Sequence, residues 1–413
     1  MQILTSAFRR PGARTALGIA VAGLAIGTSI IGGAPANADP RQFSALTGVG
    51  SDTTQDITNA LAGNSNNISY LPITSSAASA YQQITSWDAT GTACIATKTG
   101  GANINRPNGS TGGRKALSRA IDGGTWGTST CGGATGKPVA GLIEFARSSD
   151  GPTAGDTGTA LTYVPMGLDA TSFAYYRNGG GAVTSLTRAE LISIYTNGSL
   201  TVGGVRIVPC GIQTESGTKK FWQKGPLNSM TNGTEDIGTA ECNLATATSY
   251  GGRIEENRPN ELKAKGDSAA MTNSALCPIA SPCQVIVGMS AGSFIAQTNG
   301  VSPNTTAVGV DLGRVSNNGS GVDLGFPYTG TGSALAPSAL FYADANFGRS
   351  VYVVLDTLKA TGVGNVNYKS LFVGSTSALC SSAAQSRVNS FGFLTPGNCG
   401  STTLKGSLFT GNI

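Results

Sequence analysis

The sequence predicts a mixed α/β fold. Short apolar runs alternate along the chain with segments whose apolar spacing is that of amphipathic helices. Several of these runs are joined by tight turns of glycine, serine and threonine, the pattern of a strand that leads directly into a helix. The 413 residues include 59 glycines and only 12% charged residues. That composition is typical of a loop-rich exported protein.

Sequence signals at both ends predict one helix. In LTRAELISIYTNG (186–198), Thr187 and Glu190 have the spacing of a capping box. The apolar positions that follow fall on one helical face, and Asn197-Gly198 ends the pattern. We therefore predict a helix here.

Four further segments predict strands or loops. AGLIEFA (140–146) and QVIVGMS (284–290) predict buried strands, because they are continuous short apolar runs. RSVYVVLDTLKA (349–360) predicts a strand that enters a helix. The Gly-, Asn- and Ser-rich segment 299–335 predicts long surface loops.

Residues 1–38 have the parts of a secretory signal peptide. Three arginines precede the apolar stretch ALGIAVAGLAIGTSIIGG, and an A-x-A pattern ends at Ala38. We expect cleavage before Asp39 and a secreted or cell-surface protein with no membrane span in the mature chain. A membrane anchor is the alternative. The Arg9-Arg10 pair leaves both the Sec and the twin-arginine export routes open.

Charge and residue types exclude several classes of function. The chain has 27 basic and 22 acidic residues, and the leader holds three of the basic ones, which leaves 24 against 22. This near-neutral balance gives no indication of nucleic-acid binding. The chain has no histidine, which excludes a Ser-His-Asp triad and a histidine metal site. We predict no enzyme activity, no metal and no cofactor.

Two catalytic alternatives are weaker. Paired carboxylates remain conceivable, but polar runs such as RIEENRPNELKAKGD (253–267) favour a solvated face. Ser216 and Lys219 have the spacing of a Ser-x-x-Lys nucleophile, but the glycine and threonine between them fit a binding turn better.

All eight cysteines lie in the mature chain, and in an exported protein an even number indicates disulfides. A zinc site is the alternative, but there is no C-x-x-C pair and no histidine. The sequence allows many connectivities, and we predict pairing of neighbours. The predicted pairs are Cys94–Cys131, Cys210–Cys242, Cys277–Cys283 and Cys380–Cys399.

Four segments share a strand-like run followed by a small-residue turn that leads toward a helix. They are LTGVGSDTTQDITNAL (46–61), RPNGSTGGRKAL (106–117), IEFARSSDGP (143–152) and CGIQTESGTKKFW (210–222). Free amides at a helix N-terminus, glycines that allow close approach, and hydroxyls together make an oxyanion cradle. A simple helix cap is the alternative for any single turn. Open α/β sheets bind ligands where strands end, so four such turns predict one shared site.

In order and spacing, these segments resemble the solute-binding proteins of phosphate ABC transporters, in an exported actinobacterial-type branch. NGSTGGRKAL resembles the family's Gly-Ser-x-Gly-Gly turn, ARSSDGP its Ala-Ser-Asp-x-Pro segment, and ESGTKKFW its Ser-Gly-Thr-x-x-x-Phe turn. VPMGLDATSFAYYRN resembles the crossover into the second lobe, and VIVGMSAGSFIAQTNGV a strand and helix beyond it. The resemblance covers most of residues 44–375, and the collinear order of the motifs is its most specific feature.

The resemblance implies a two-lobed, type II periplasmic-binding fold with a mixed sheet flanked by helices in each lobe. Lobe 1 would comprise residues 39–165 and 341–413, and lobe 2 residues 166–340. The chain would cross near 163–170 and return near 340–349, with the ligand in the cleft.

The resemblance also implies a ligand-binding set. By position in the motifs, this set is Asp52, Thr53, Ser110, Thr111, Arg147, Ser149, Asp150, Ser216, Gly217 and Thr218. Ser110 would give a hydroxyl to an anion oxygen, and Asp150 would accept a proton from a protonated oxyanion. Ser216, Gly217 and Thr218 would supply hydroxyls and amides. Arg147 is the candidate guanidinium, and lobe packing is its alternative role.

Two positions depart from the family pattern. The phosphate binders have an Arg four residues before the Ser of Ser-Gly-Thr and an Asp two before it, where this chain has Ile212 and Thr214. A bidentate Arg–phosphate pair is a strong contact, and its absence leaves the ligand's identity open. Lys219 and Lys220 could contribute charge, although lysines in the first turn of a helix usually face solvent.

We predict an exported, monomeric solute-binding protein that captures a small oxyanion, phosphate first, without chemistry. An ABC permease is its candidate partner. The alternative is a secreted surface or cell-wall protein that keeps the fold but has lost or changed its ligand; the absence of a lipid-attachment cysteine after the leader favours it. The cleft distinguishes the two, because a binding protein needs convergent polar groups there.

Overall fold

The computed structural model describes residues 39–40, 43, 45–63, 83–131, 136–228, 242, 252–362 and 366–412. The predicted leader lies outside these residues. Within them, no helix has both the length and the apolar character that a membrane crossing requires.

Most of the strands are short, and only β8 and β17 are long. In chain order the strands are β1 (Leu46–Gly50), β2 (Ile84–Ser86), β3 (Cys94–Ala96), β4 (Asn103–Asn105), β5 (Thr125–Trp126), β6 (Lys137–Pro138), β7 (Phe145–Ser148), β8 (Leu161–Arg177), β9 (Ser185–Thr187), β10 (Leu200–Val202), β11 (Val205–Pro209), β12 (Gln284–Ser290), β13 (Asp311–Leu312), β14 (Arg314–Asn317), β15 (Tyr328–Thr329), β16 (Ala336–Pro337), β17 (Gly348–Asp356) and β18 (Lys405–Gly406).

The helices are also short. They are α1 (Gln55–Leu61), α2 (Gly109–Asp122), α3 (Arg188–Asn197), α4 (Gly217–Lys224), α5 (Pro259–Gly266), α6 (Ala269–Thr272), α7 (Ala291–Thr298), α8 (Ala339–Tyr342), α9 (Thr357–Ala360), α10 (Val366–Phe372) and α11 (Ser382–Ser390), with 3₁₀ turns at Ser129–Cys131 and Ala378–Cys380.

One mixed sheet runs through both halves of the structure. Its strand order is β10-β11-β12-β8-β17-β7-β1-β2, and β13 and β18 also pair with β8. β1 is parallel to β2 and β7, whereas β8 and β17 are antiparallel to each other. Residues 161–170 of β8 pair with β17, and residues 171–177 pair with β12. The predicted mixed α/β class is therefore confirmed.

Each half of this sheet has its own apolar core. The buried residues of one core all lie between Ala170 and Phe347. The other half is buried on both faces, because Val353 of β17 belongs to one core and its neighbour Val354 to another. The predicted division into two lobes, with its boundaries, stays a prediction.

The predicted capped helix is confirmed as α3. Thr187 Oγ1 accepts a hydrogen bond from Glu190 N at 3.1 Å, and the Glu190 carboxylate accepts one from Thr187 N at 2.7 Å. Gly198 ends the helix in the left-handed conformation, with φ of 81°. The capping box and the glycine stop were therefore sufficient to place both ends.

The strand predictions are confirmed in part. QVIVGMS forms β12, and RSVYVVLDTLKA forms β17 and α9. AGLIEFA was predicted too early, because Gly141 has φ of 73° in a turn closed by a hydrogen bond from Leu142 N to Val139 O. The strand β7 begins only at Phe145. The predicted loops of 299–335 contain the short strands β13, β14 and β15.

The predicted disulfide pairing is confirmed in full. The four bridges are Cys94–Cys131, Cys210–Cys242, Cys277–Cys283 and Cys380–Cys399. Each joins cysteines that are neighbours in the order of the chain, so each closes a local loop.

Three of the four predicted turns lead to a helix. The turns at 51–54, 106–108 and 210–216 precede α1, α2 and α4. The third predicted segment is different, because residues 149–160 form bends and turns after β7. The hydroxyls of that segment are therefore not part of a helix N-terminus.

Gly113 allows α2 to lie directly against β1. A Cβ on Gly113 would lie 2.5 Å from the Gly50 Cα and 3.0 Å from the Val49 carbonyl oxygen. We expect Gly113→Ala to push α2 away from the sheet and to lower the free energy of unfolding by about 1–3 kcal/mol, measured by urea denaturation.

Gly112→Ala is the matched control in the same helix. Its Cβ would meet no atom nearer than 3.7 Å, and alanine favours a helix over glycine by up to about 1 kcal/mol. Equal stability of the two variants would contradict the close approach of α2 and β1.

Candidate functional site

The hydroxyl-bearing turns meet at one place. The hydroxyls of Ser110 in α2 and Ser149 after β7 are 3.2 Å apart, and Ser149 N donates to Ser110 Oγ at 3.0 Å. Thr53 and Thr218 bring their Oγ1 atoms to 3.1 Å. Gly217 lies against both serines, and a Cβ there would collide with their hydroxyls. Five residues of the predicted set, distant in sequence, are thus neighbours.

A carboxylate from outside the predicted set fills the space between these turns. Glu256 Oε2 accepts hydrogen bonds from Ser216 Oγ and, at 3.3 Å, from Thr218 N. Its Oε1 accepts from Thr53 N and Thr53 Oγ1, each at 3.4 Å. The residue is 1% exposed. Amides and hydroxyls that converge on one acceptor are the coordination an oxyanion requires, and here the protein supplies the oxyanion.

The loop that carries this carboxylate is held on both sides. The Gln213 side chain accepts from Glu256 N and donates to the Glu255 carboxylate, both at 2.8 Å. Asn257 has a left-handed φ of 64°, which is uncommon for a residue other than glycine. Its carbonyl accepts from Gln297 Nε2 at 2.8 Å. These contacts fix the direction of the Glu256 side chain.

The buried position of this loop corrects one interpretation of the sequence. The run 253–267 was expected to form a solvated face, but Glu255 and Glu256 are 0% and 1% exposed. A polar run with no helical or strand period gives no local sign of burial. The partners of these carboxylates lie about 40 to 200 residues away in sequence.

Arg349, in β17, is a second site residue that the sequence did not reveal. Its Nη2 donates to Thr218 Oγ1 at 2.9 Å and to Asp169 Oδ2 at 2.7 Å, and its Nε donates to Asp169 at 3.0 Å. The Arg349 and Asp169 side chains are 2% and 0% exposed. Arg349 Nη1 finds no acceptor among the described residues. A guanidinium thus lies beside Thr218, although the motif has Ile212 where the family has arginine.

Arg147 lies behind the first turn. Its guanidinium donates to Ser51 O at 3.1 Å, to Gly50 O at 3.0 Å and to Ser86 Oγ at 2.7 Å. The residue is fully buried, and this burial lowers the pKa of Arg147 to about 10. These contacts are of the kind expected for the packing alternative, and ligation by Arg147 stays a prediction.

Thr111 and Asp150 lie next to a group of cations. Thr111 Oγ1 accepts from Lys220 Nζ at 2.5 Å and from Arg114 Nη2 at 3.4 Å. The Asp150 carboxylate is 3.6 Å from Arg114 Nη2. Lys220 is only partly exposed, and desolvation lowers the pKa of its ammonium to about 8. Asp150 therefore has a charge partner within the protein, and Lys220 faces Thr111.

Asp52 lies beside Asn257, the residue that follows Glu256. Its Oδ1 accepts from Asn257 Nδ2 at 2.9 Å. Burial, and then the carboxylates of Glu255 and Glu256, raise the pKa of Asp52 well above its usual value. The raised pKa makes this carboxyl harder to ionise than an ordinary aspartate side chain. In the described ranges, no group of three or more acidic or cysteine side chains is arranged to hold a metal ion.

The raised pKa of Asp52 makes its contribution to stability depend on pH. The folded protein holds a proton that the unfolded chain releases above about pH 4, so this residue opposes folding as pH rises. We expect Asp52→Asn to raise the free energy of unfolding relative to wild type more at pH 8 than at pH 4, measured by urea denaturation.

Asp122→Asn, at an exposed position at the end of α2, controls for the loss of one surface carboxylate. It should show no comparable gain at pH 8. A difference between Asp52→Asn and wild type that is the same at both pH values would refute the assignment.

The Arg349–Asp169 pair can be tested by a double-mutant cycle. Arg349→Met leaves the buried Asp169 carboxylate without its counter-charge and should lower the free energy of unfolding by about 3–5 kcal/mol. The double variant Arg349→Met/Asp169→Asn removes both charges and should lose less than the sum of the single losses. Strictly additive losses in urea denaturation would show that the two side chains do not interact.

Comparisons with known proteins find similarity at the level of structure. No protein-family model and no curated protein matches the sequence. An ABC-type phosphate transport receptor from Vibrio cholerae is 13% identical, with 85% of this chain and 100% of that chain aligned and a TM-score of 0.43. A candidate phosphate ABC transporter substrate-binding protein from Clostridium perfringens, with bound phosphate, is 12% identical over 85% and 99%, with a TM-score of 0.45.

A third similar structure is PstS from Borrelia burgdorferi, at 13% identity, 85% and 98% coverage and a TM-score of 0.38. These structures are of the class that the sequence motifs resemble. The similarity to these structures concerns the fold.

Proposed function

We propose that the protein is an exported solute-binding protein that captures a small oxyanion, phosphate first, and performs no chemistry on it. The observation that supports this most directly is the coordination of the Glu256 carboxylate. Its oxygens accept from the amides of Thr53 and Thr218 and from the hydroxyls of Thr53 and Ser216. Phosphate offers acceptor oxygens of the same kind, so this donor set suits it.

The charges around the donors favour an anion. Arg349 donates to Thr218 Oγ1 and keeps Nη1 available, and Lys220 lies at Thr111 on the neighbouring turn. A guanidinium with a spare donor can bind an anion oxygen by a charge-assisted hydrogen bond. We propose that Arg349 takes the part of the arginine that the motif lacks. Asp150 remains the proposed acceptor of a proton from a protonated oxyanion.

The proposed location is outside the cytoplasm. Disulfides form and persist mainly in oxidising compartments, and the four bridges of this chain, together with the predicted signal peptide, support export. We propose a monomer in solution with an ABC permease as the partner that would receive the ligand.

The occupation of these hydrogen-bond donors by Glu256 favours a second candidate function. Glu256 occupies the donors, and Ser110 contacts Ser149 directly. A secreted surface or cell-wall protein that has kept this fold and lost its ligand would have such a filled site. The two candidates differ in one measurable property, which is whether the site takes an anion from solution.

Calorimetric titration of the mature chain 39–413, stripped of ligand by partial unfolding and refolding, tests the proposal. We expect micromolar or tighter binding of phosphate that sulfate does not imitate. We also expect Thr218→Val to weaken phosphate binding about tenfold or more, because a hydrogen bond to a charged group contributes about 1.5–3 kcal/mol.

Thr58→Val is the matched control for that variant. It makes the same isosteric change in α1, at a buried hydroxyl that donates to the carbonyl of the N-cap residue Thr54 at 2.7 Å. Its phosphate affinity should equal that of wild type. No heat with either anion would favour the second candidate, and unchanged affinity of Thr218→Val would remove the Thr218 hydroxyl from the proposed donor set.

A further inference from the structure

We infer that Glu256 is a built-in competitor for the oxyanion site, so that an anion from solution binds only when Glu256 withdraws. This inference rests on the proposed function, because it concerns the regulation of that same site. We use the term Glu256 loop for residues Glu255, Glu256 and Asn257.

The donors cannot serve both the carboxylate and a ligand. Ser216 Oγ accepts from Lys219 N at 3.0 Å as the N-cap of α4, and its single proton is donated to Glu256. The amide of Thr218 has one hydrogen, which also points to Glu256. An incoming anion that used these two donors would have to displace the carboxylate. Occupation by Glu256 and by a ligand is therefore mutually exclusive.

The Glu256 loop also holds the site closed. Glu256 joins Thr53, in the turn between β1 and α1, to the start of α4. Beside it, Asn257 Nδ2 donates to Asp52, and Asn108 Nδ2 donates to Glu255 at 3.1 Å. The loop thus makes the bridging contacts that a bound anion would make in a closed cleft.

The negative charges of the Glu256 loop make its buried position less favourable. Glu255 and Glu256 are adjacent carboxylates, and both are almost fully buried. Like charges in a site of low solvent access repel one another, and a buried carboxylate has also lost its hydration. An anion that binds Arg349 as well as Ser216 and Thr218 would replace Glu256, and the Glu256 carboxylate would become hydrated again. The regained hydration offsets part of the free energy that displacement of Glu256 costs.

The test compares phosphate binding by wild type, Glu256→Ala and Glu256→Gln in the mature chain 39–413. Alanine removes the competing group, and glutamine keeps its volume but removes the negative charge. We expect both variants to bind inorganic phosphate at least about tenfold more tightly than wild type in calorimetry. Two variants keep the test decisive if one of them fails to fold.

Glu144→Gln is the matched control. It removes the negative charge of another buried carboxylate, which accepts hydrogen bonds from Thr47 N and Lys98 Nζ, each at 2.7 Å. These partners are outside the proposed donor set, so we expect its phosphate affinity to stay within about threefold of wild type. An equal gain in Glu144→Gln and Glu256→Ala would show a general charge effect and overturn the role of Glu256 as competitor.

Amide hydrogen exchange supplies a second measurement that does not depend on affinity. Without phosphate, the amides of Thr53 and Thr218 should exchange faster in Glu256→Ala than in wild type, and phosphate should restore their protection. Equal phosphate affinity in wild type and both Glu256 variants would overturn the inference while the proposed function stands. Weaker binding in both variants would also overturn it, because Glu256 would then assist the ligand. No binding by any of the proteins would overturn the proposed function itself.

Discussion

A buried carboxylate needs partners for its oxygens, and this requirement joins the turns of the two halves of the structure. Glu256 accepts from Thr53, in the turn after β1, and from Ser216 and Thr218 at the start of α4. With no acceptor between them, these donors would be buried and would face one another. The geometry of the site therefore depends on a negative group at this point, whether the protein or a ligand supplies it.

The Arg349–Asp169 pair connects the site to the sheet. Asp169 lies on β8 close to where that strand changes partners from β17 to β12, and it accepts from Ser290 Oγ and Gly292 N at 3.0 Å each. A buried ion pair gains little net stability, because desolvation offsets the attraction. The main effect of this pair is to orient Arg349, because it holds the guanidinium against Thr218.

Local features of the fold could be predicted from the sequence, and long-range ones could not. The capping box of α3, the neighbour disulfides and the hydroxyl turns each depend on residues close together in the chain. Glu256 and Arg349 reach the site only through sheet order and loop packing, which no local period encodes. Arg147 shows the same limit, because the pairing of β7 with β1 places its guanidinium on backbone carbonyls.

Ile212, where the resembled family has arginine, and the internal carboxylate belong to one arrangement. Ile212 forms a parallel bridge with Ile254, with hydrogen bonds from Ile254 N to Gly211 O and from Gln213 N to Ile254 O. Both isoleucines are buried and line a cavity of about 10 Å³ with Val287. The bridge fixes the chain two residues before Glu256, and Glu255 and Glu256 line the same cavity. In this arrangement position 212 belongs to an apolar contact, and the guanidinium beside Thr218 is that of Arg349 in β17.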